Sequence, residues 1–237
     1  EVFPKLSLFR GGFTREAAEC VAGASLDTLA GLVDKSLVRL GSAGRYDVHE
    51  LLRQFGEEQM DADELEQAQT AYIDYYLGML GQLESGIKAH RQSESLNAIE
   101  ADFENIRNAW LWAVERQYYR ALDQAVESLN FYADMRGRYF EIVTLFQTAI
   151  DRLSPLATQD EQICTVCRIQ ARLVRVILLG NMRIEFDVRQ KINHCLAMAR
   201  AKGVPAEIAY CLMVSGLVAV WEHNKEIPIF RESYEMY

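Results

Sequence analysis

Beyond residue 119 the sequence repeats one plan, and that repetition limits the fold more than any other feature. Tyr132-Ala133-Asp134-Met135-Arg136-Gly137-Arg138-Tyr139 leads into a helical pattern with Ile142, Val143, Phe146, Ala149 and Ile150 on one face. Leu178-Leu179-Gly180-Asn181-Met182-Arg183 leads into Val188, Ile192, Cys195, Leu196 and Ala199. Val220-Trp221-Glu222-His223-Asn224-Lys225 leads into Ile229, Phe230 and Tyr234. Corresponding positions recur at roughly 42 to 46 residues. Each unit reads as a helix, a tight polar or glycine turn and a second helix. Ser154-Pro155 and Gly203-Val204-Pro205 stand between units, where helices must stop. A single hairpin of this kind leaves an apolar face exposed, and stacking the next hairpin on it hides that face.

The first 60 residues follow a different rhythm. Thr14 is placed to cap a helix over Arg15 to Val21, and Ser25 or Asp27 to cap another ending near Asp34 or Lys35. Leu26, Leu29, Ala30 and Val33 keep helical spacing. The period then shortens. Ser36 to Leu40 reads as a strand, Gly41-Ser42-Ala43-Gly44 as a turn and Arg45 to Val48 as the return strand. His49 to Met60 is helical again through Leu51, Leu52, Phe55 and Met60. Two helices, a β-hairpin and a helix describe a winged-helix-like module. After an acidic joint at Asp61 to Glu64, a helix from Leu65 to Leu83 carries Tyr72, Tyr75 and Tyr76 on its apolar stripe. Ser85-Gly86 interrupts it, and a further helix runs from about Ser95 through Trp110 to Val114. The expected fold is therefore mostly α. Its parts are a winged-helix-like module over 1–62, a connecting helical region over 63–118 and a right-handed stack of helical hairpins over 119–237.

Half of the 237 residues are apolar, enough for a sizeable core. The net charge of −9 is unevenly spread: 61–118 hold eleven acids and four bases, whereas 119–237 hold fourteen of each. The first 60 residues carry nine acids and seven bases, a poor match for a phosphate backbone. No apolar run has bilayer-spanning length and no secretory leader opens the chain. Both ends, Glu1-Val2-Phe3-Pro4 and Ser233 to Tyr237, read as cut from something longer. Five cysteines, an odd number placed on or beside helical apolar stripes, indicate a reduced, cytoplasmic protein.

Leu6 to Thr14, with Leu29-Ala30-Gly31-Leu32-Val33-Asp34-Lys35-Ser36-Leu37-Val38, resembles the winged-helix segment of large bacterial signal-transduction ATPases of the STAND type. Among these are ATP-dependent transcriptional regulators of the maltose-regulator and antibiotic-regulator types. Arg45 to Phe55 continues the likeness, and Glu100 to Ala109, with Glu104-Asn105-Ile106-Arg107, resembles their linker helix. The later hairpins resemble their tetratricopeptide-like repeats, with a period longer than the usual 34 or so. The resemblance implies an upstream ATPase domain that binds ATP or ADP, a winged helix that packs on it, and repeats that take up a protein or small-molecule effector. It also places His49 where the winged helix faces the nucleotide of that domain. No Gly-x-x-x-x-Gly-Lys-Ser/Thr loop occurs in this sequence, so the chain alone is expected to hold no nucleotide cofactor.

The candidate sites each have an ordinary alternative. Arg168, Arg172 and Arg175 share one helix face and suit an acidic partner or anionic ligand, or else pair with acids of the neighbouring hairpin or form a solvated face. His49-Glu50 lacks the second histidine of a zinc helix, since Arg53 stands there; His49 is a nucleotide-facing group or a structural cap. Cys164-x-x-Cys167 lacks the second pair that zinc requires and reads as core packing. Gly11-Gly12 reads as a turn rather than a phosphate cradle. Trp110, Trp112, Tyr118, Tyr119, Phe131 and Tyr132 fill a hairpin junction or line a pocket. No Gly-x-Ser-x-Gly elbow is present. The expectation is a non-enzymatic regulatory arm without a catalytic or metal site, not itself a nucleic-acid or membrane binder. Direct DNA binding by the winged helix, and a receptor or enzyme site in the repeat groove, are the alternatives.

Overall fold

The computed structural model describes residues 2–41, 44–182 and 187–222. The chain is mostly α, with twelve helices and one two-stranded antiparallel sheet among the described residues. It divides into two compact units, Glu1–Ala113 and Val114–Tyr237.

In the first unit a short helix that the sequence pattern did not announce, α1 (Val2–Leu6), packs on α2 (Arg15–Ala22) and α4 (Glu50–Glu57). Thr14 caps α2 by accepting from the Ala17 N–H at 3.1 Å, and Ser25 caps α3 (Leu26–Asp34) by accepting from Thr28 at the same distance. The hairpin is shorter than expected: β1 is Arg39–Leu40 and β2 is Tyr46–Asp47. The cause lies in the preceding helix end, where the N–H groups of Leu37 and Val38 still bond back to the Leu32 carbonyl at 3.0 and 3.3 Å. Tyr46 also exchanges both backbone hydrogen bonds with Phe13, each at 2.8 Å, tying the first loop to the hairpin.

Three boundaries differ from the sequence pattern. The acidic stretch at 61–64 is not a joint but the start of α5 (Ala62–Ile87): Asp61 caps it, and Asp63 and Glu64 favour the positive end of the helix dipole. Ser85-Gly86 does not end that helix. Gly86 lies inside it because a Cβ there would stand 2.5 Å from the Ser95 hydroxyl on α6 (Gln92–Ala101). The long helix expected from Ser95 to Val114 is broken at Asp102, which separates α6 from α7 (Phe103–Glu115). The core of this unit is aromatic. Phe9 stacks on Phe13 at 4.4 Å between ring centres, Tyr72 meets Phe9 at 5.4 Å and Trp112 at 5.1 Å, and Trp110 is fully buried.

The second unit is built from helical pairs. α8 (Tyr119–Arg136) turns at Gly137, with φ of 67°, into α9 (Tyr139–Leu153). α10 (Asp160–Leu179) packs on both, and is followed by α11 (Val188–Lys202) and α12 (Pro205–Trp221), which pack on it and on each other. Gly203 closes α11 in the left-handed region and Pro205 opens α12, where its missing N–H costs nothing. A Cβ on Gly180 would lie 2.9 Å from Tyr139, so the end of α10 sits directly on the start of α9. The helix expected after Lys225 lies outside the described residues, as do Ser42 and Ala43 of the expected turn.

Candidate functional site: a clamp in each unit

In the first unit the break at Asp102 serves a purpose. It brings two side chains, Asp102 and Asn105, to the loop that precedes α2. The Asn105 amide is fully buried, and all four of its hydrogen-bonding positions are filled. Its Oδ1 accepts from the Arg10 backbone N–H at 2.6 Å and from the Tyr72 hydroxyl at 2.8 Å. Its Nδ2 donates to the Gly12 carbonyl at 2.8 Å and to Asp102 Oδ1 at 3.2 Å. Arg45, at the start of the return strand, pairs with Asp102 at 2.5 Å and donates to the same Gly12 carbonyl at 3.1 Å. The loop accepts this grip because Gly11 and Gly12 take φ of 74° and 83°, and a Cβ on Gly12 would stand 3.0 Å from the Tyr46 carbonyl oxygen. One asparagine and one aspartate therefore hold loop, hairpin, α5 and α7 together. Burial pushes the Tyr72 and Tyr76 hydroxyls well above the usual phenol range, so both stay neutral, and Tyr72 keeps the proton it donates to Asn105.

On another face of this unit His49 is the N-cap of α4: its Nδ1 accepts from the Leu51 N–H at 3.3 Å and the residue is exposed. Arg53 bridges Glu50 and Glu57, and Glu57 also takes Arg10 at 2.8 Å. The outward side of α4 carries apolar side chains beside the polar Glu50 and Gln54. Leu51 and Phe55, one turn apart, are 70% and 56% exposed. Among the described residues no group of three or more His, Cys, Asp or Glu is arranged to hold a metal ion.

In the second unit Arg168, Arg172 and Arg175 lie on one face of α10, and each meets acids on adjacent helices. Arg168 pairs with Asp123 at 3.0 Å and with Glu207 at 3.2 Å. Arg172, 3% exposed, donates to Glu127 at 2.9 Å, pairs with both oxygens of Glu207, and lies 3.8 Å over the Tyr210 ring. Arg175 donates to Asn130 at 3.2 Å and pairs with Asp134. Burial opposes the Arg172 charge, but Tyr210 and the two carboxylates outweigh it and hold the guanidinium above its ordinary range. Three guanidinium groups thus meet four carboxylates inside the helix layer, and the face does not project net positive charge.

Several of these partners gave no signal in the sequence reading. Asp102 sat within an uninterrupted helical pattern, and Asn105 entered only through a resemblance. Glu127, Glu207 and Tyr210 had no motif at all. One signal was available: Asp123, Glu127 and Asn130 precede Arg168, Arg172 and Arg175 by 45 positions each, close to the repeat spacing. The ladder is a repeat-to-repeat contact.

The described residues form a helical protein of two units with a small hairpin, and each unit holds a cluster of buried polar groups. The sequence is similar to proteins of Mycobacterium tuberculosis and Mycobacterium bovis named "putative HTH-type transcriptional regulator". Identity is 26% over 251 aligned residues, covering 99% of this chain but 28% of each relative, so the chain spans little more than a quarter of their length. No protein-family model and no solved structure matches the chain. Among the described residues no helix is long and apolar enough to cross a membrane.

Proposed function

We propose that this chain is the non-catalytic regulatory arm of a larger ATP-dependent transcriptional regulator of the STAND type. In this reading residues 1–62 are a winged helix that docks on an upstream ATPase domain of the same polypeptide. The second unit is a tetratricopeptide-like stack that receives a protein or small-molecule effector, and the whole acts in the cytoplasm. The observation that carries the reading is the outward face of α4. Leu51 and Phe55 are apolar, adjacent and exposed, directly after the exposed His49. Two adjacent exposed apolar side chains on one helix suit cover by another surface. The length of the mycobacterial relatives leaves room for that surface. The Asn105 and Asp102 clamp supports it further, because it makes loop, hairpin, α5 and α7 move as one piece when α4 is docked or released.

Coupling would be a population shift. An effector that prefers one arrangement of the repeats biases the attached ATPase by no more than its differential affinity for the two states. Direct reading of DNA by α3 is the weaker alternative, since that helix carries Asp27 and Asp34 and no Lys or Arg. Calorimetric titration of the 237-residue chain with ATP, ADP and duplex DNA at low salt tests the proposal. Silence in all three titrations, with no ATP turnover, is expected. Turnover, tight nucleotide binding or salt-sensitive DNA binding would contradict it.

A further inference from the structure

Four cysteines that lie far apart in sequence converge in the second unit. Cys164 and Cys167 on α10, Cys195 on α11 and Cys211 on α12 line one cavity of about 40 Å³. A space of that size holds on the order of one to three water-sized molecules and excludes an organic ligand. Its rim includes Lys202 and Val204, both exposed, and half-buried Cys164, so a small solute enters there. Deeper in, Cys167 and Cys195 line the cavity from the packed helices α10 and α11 and belong to one apolar cluster with Ala171 and Ile192. The two thiols are near enough that each is the largest influence on the other's proton affinity.

We propose that Cys167 and Cys195 form a redox-active dithiol that a small hydroperoxide oxidises to a disulfide. Cys167 gives up its proton, and its Sγ attacks the terminal peroxide oxygen. The S–O bond forms, the O–O bond breaks, and the departing hydroxide or alkoxide takes the proton. The Cys195 thiol then attacks the Cys167 sulfenic sulfur. The S–S bond forms, the S–O bond breaks, and the hydroxide leaves as water with the Cys195 proton. Two thiols lose two electrons in all, and the hydroperoxide is reduced to water or alcohol plus water. The roles follow from the surroundings. The neighbouring Cys195 holds the Cys167 thiol below its ordinary range, which suits Cys167 as the nucleophile and leaves Cys195 to resolve. Burial pushes Cys211 up to about 12 and raises Cys164 as well, so neither competes as a thiolate. The product would staple the two helices of one hairpin.

The test is to expose the reduced 237-residue chain to a small excess of hydrogen peroxide, unfold it in iodoacetamide, and map the peptides by mass. The wild type should show the Cys167 and Cys195 peptides joined, two hydrogens lighter than the sum of the two free-thiol peptides, with three cysteines alkylated instead of five. In Cys195→Ser the link should vanish and dimedone should tag Cys167, whereas Cys164→Ser should keep the link. Peroxide that leaves all five thiols alkylatable, or that joins Cys167 to Cys164 or Cys211 instead, overturns the proposal. If Cys195→Ser fails to fold by circular dichroism, the wild-type peptide map decides alone.

Discussion

Replacing Asn105 with alanine should weaken the first unit more than any other single polar truncation in it. The substitution strands the Arg10 N–H and removes the acceptor for the Tyr72 hydroxyl proton. The Gly12 carbonyl and Asp102 keep Arg45 as a donor, so their loss is smaller. Two stranded donors at about 1–3 kcal/mol each give an expected cost of about 2–6 kcal/mol. With a urea slope of about 1–3 kcal/mol/M, the unfolding midpoint should fall by about 1 M or more. Fluorescence of fully buried Trp110 and its neighbour Trp112 reports the transition. A double-mutant cycle sharpens the test, because Tyr72→Phe removes one stranded donor beforehand and should make Asn105→Ala about 1–3 kcal/mol cheaper. Asn105→Asp adds a sign test. It sets a second carboxylate against Asp102, which raises the folded-state pKa of one of them above its unfolded value. The penalty is then full at neutral pH and fades as pH falls through that raised value, so the variant should regain stability relative to the parent towards about pH 5. A cost below about 1 kcal/mol, or the same cost with and without the Tyr72 hydroxyl, would refute the clamp as the source of rigidity.

Three further outcomes follow from the same geometry. Gly12→Ala forces a side chain into a φ of 83° and against the Tyr46 carbonyl, and thermal unfolding should show a loss of about 1–3 kcal/mol. Arg172→Ala removes the nearest guanidinium from buried Glu127 and both contacts to Glu207 and should cost about 3–5 kcal/mol in denaturant unfolding, whereas Arg107→Ala, in a pair 53% and 55% exposed, should change stability by less than about 0.5 kcal/mol. Leu51→Ser with Phe55→Ser should leave the unfolding midpoint of this chain unchanged, because both side chains already face solvent, yet should weaken nucleotide-dependent coupling in a longer product that carries the ATPase domain.

What was legible in the sequence was what local chemistry decides. Thr14 and Ser25 could be read as caps because a hydroxyl before an apolar helical run satisfies the first free N–H groups wherever the chain goes. The paired helices of the second unit were visible because their apolar spacing recurs and Gly137, Gly203 and Pro205 punctuate it. What tertiary contact decides stayed hidden. Gly86 looked like a stop and is a close approach to Ser95, and Asp102 looked like an ordinary helical acid and is a break held by Arg45. Arg168, Arg172 and Arg175 could be read as a docking face or as partners of acids on the neighbouring hairpin, and only the fold shows which acids they meet. The convergence of Cys167, Cys195 and Cys211 was equally invisible, since the three lie on three different helices.

The central claim is that the exposed side of α4 is a docking face whose cover depends on nucleotide. Hydrogen exchange at residues 50–57, measured in a longer product carrying the upstream ATPase and loaded in turn with ADP and with a non-hydrolysable ATP analogue, tests it most directly. The account predicts slow exchange in one nucleotide state and exchange as fast as in this chain alone in the other. Equal exchange in both states, matching the isolated chain, would contradict it.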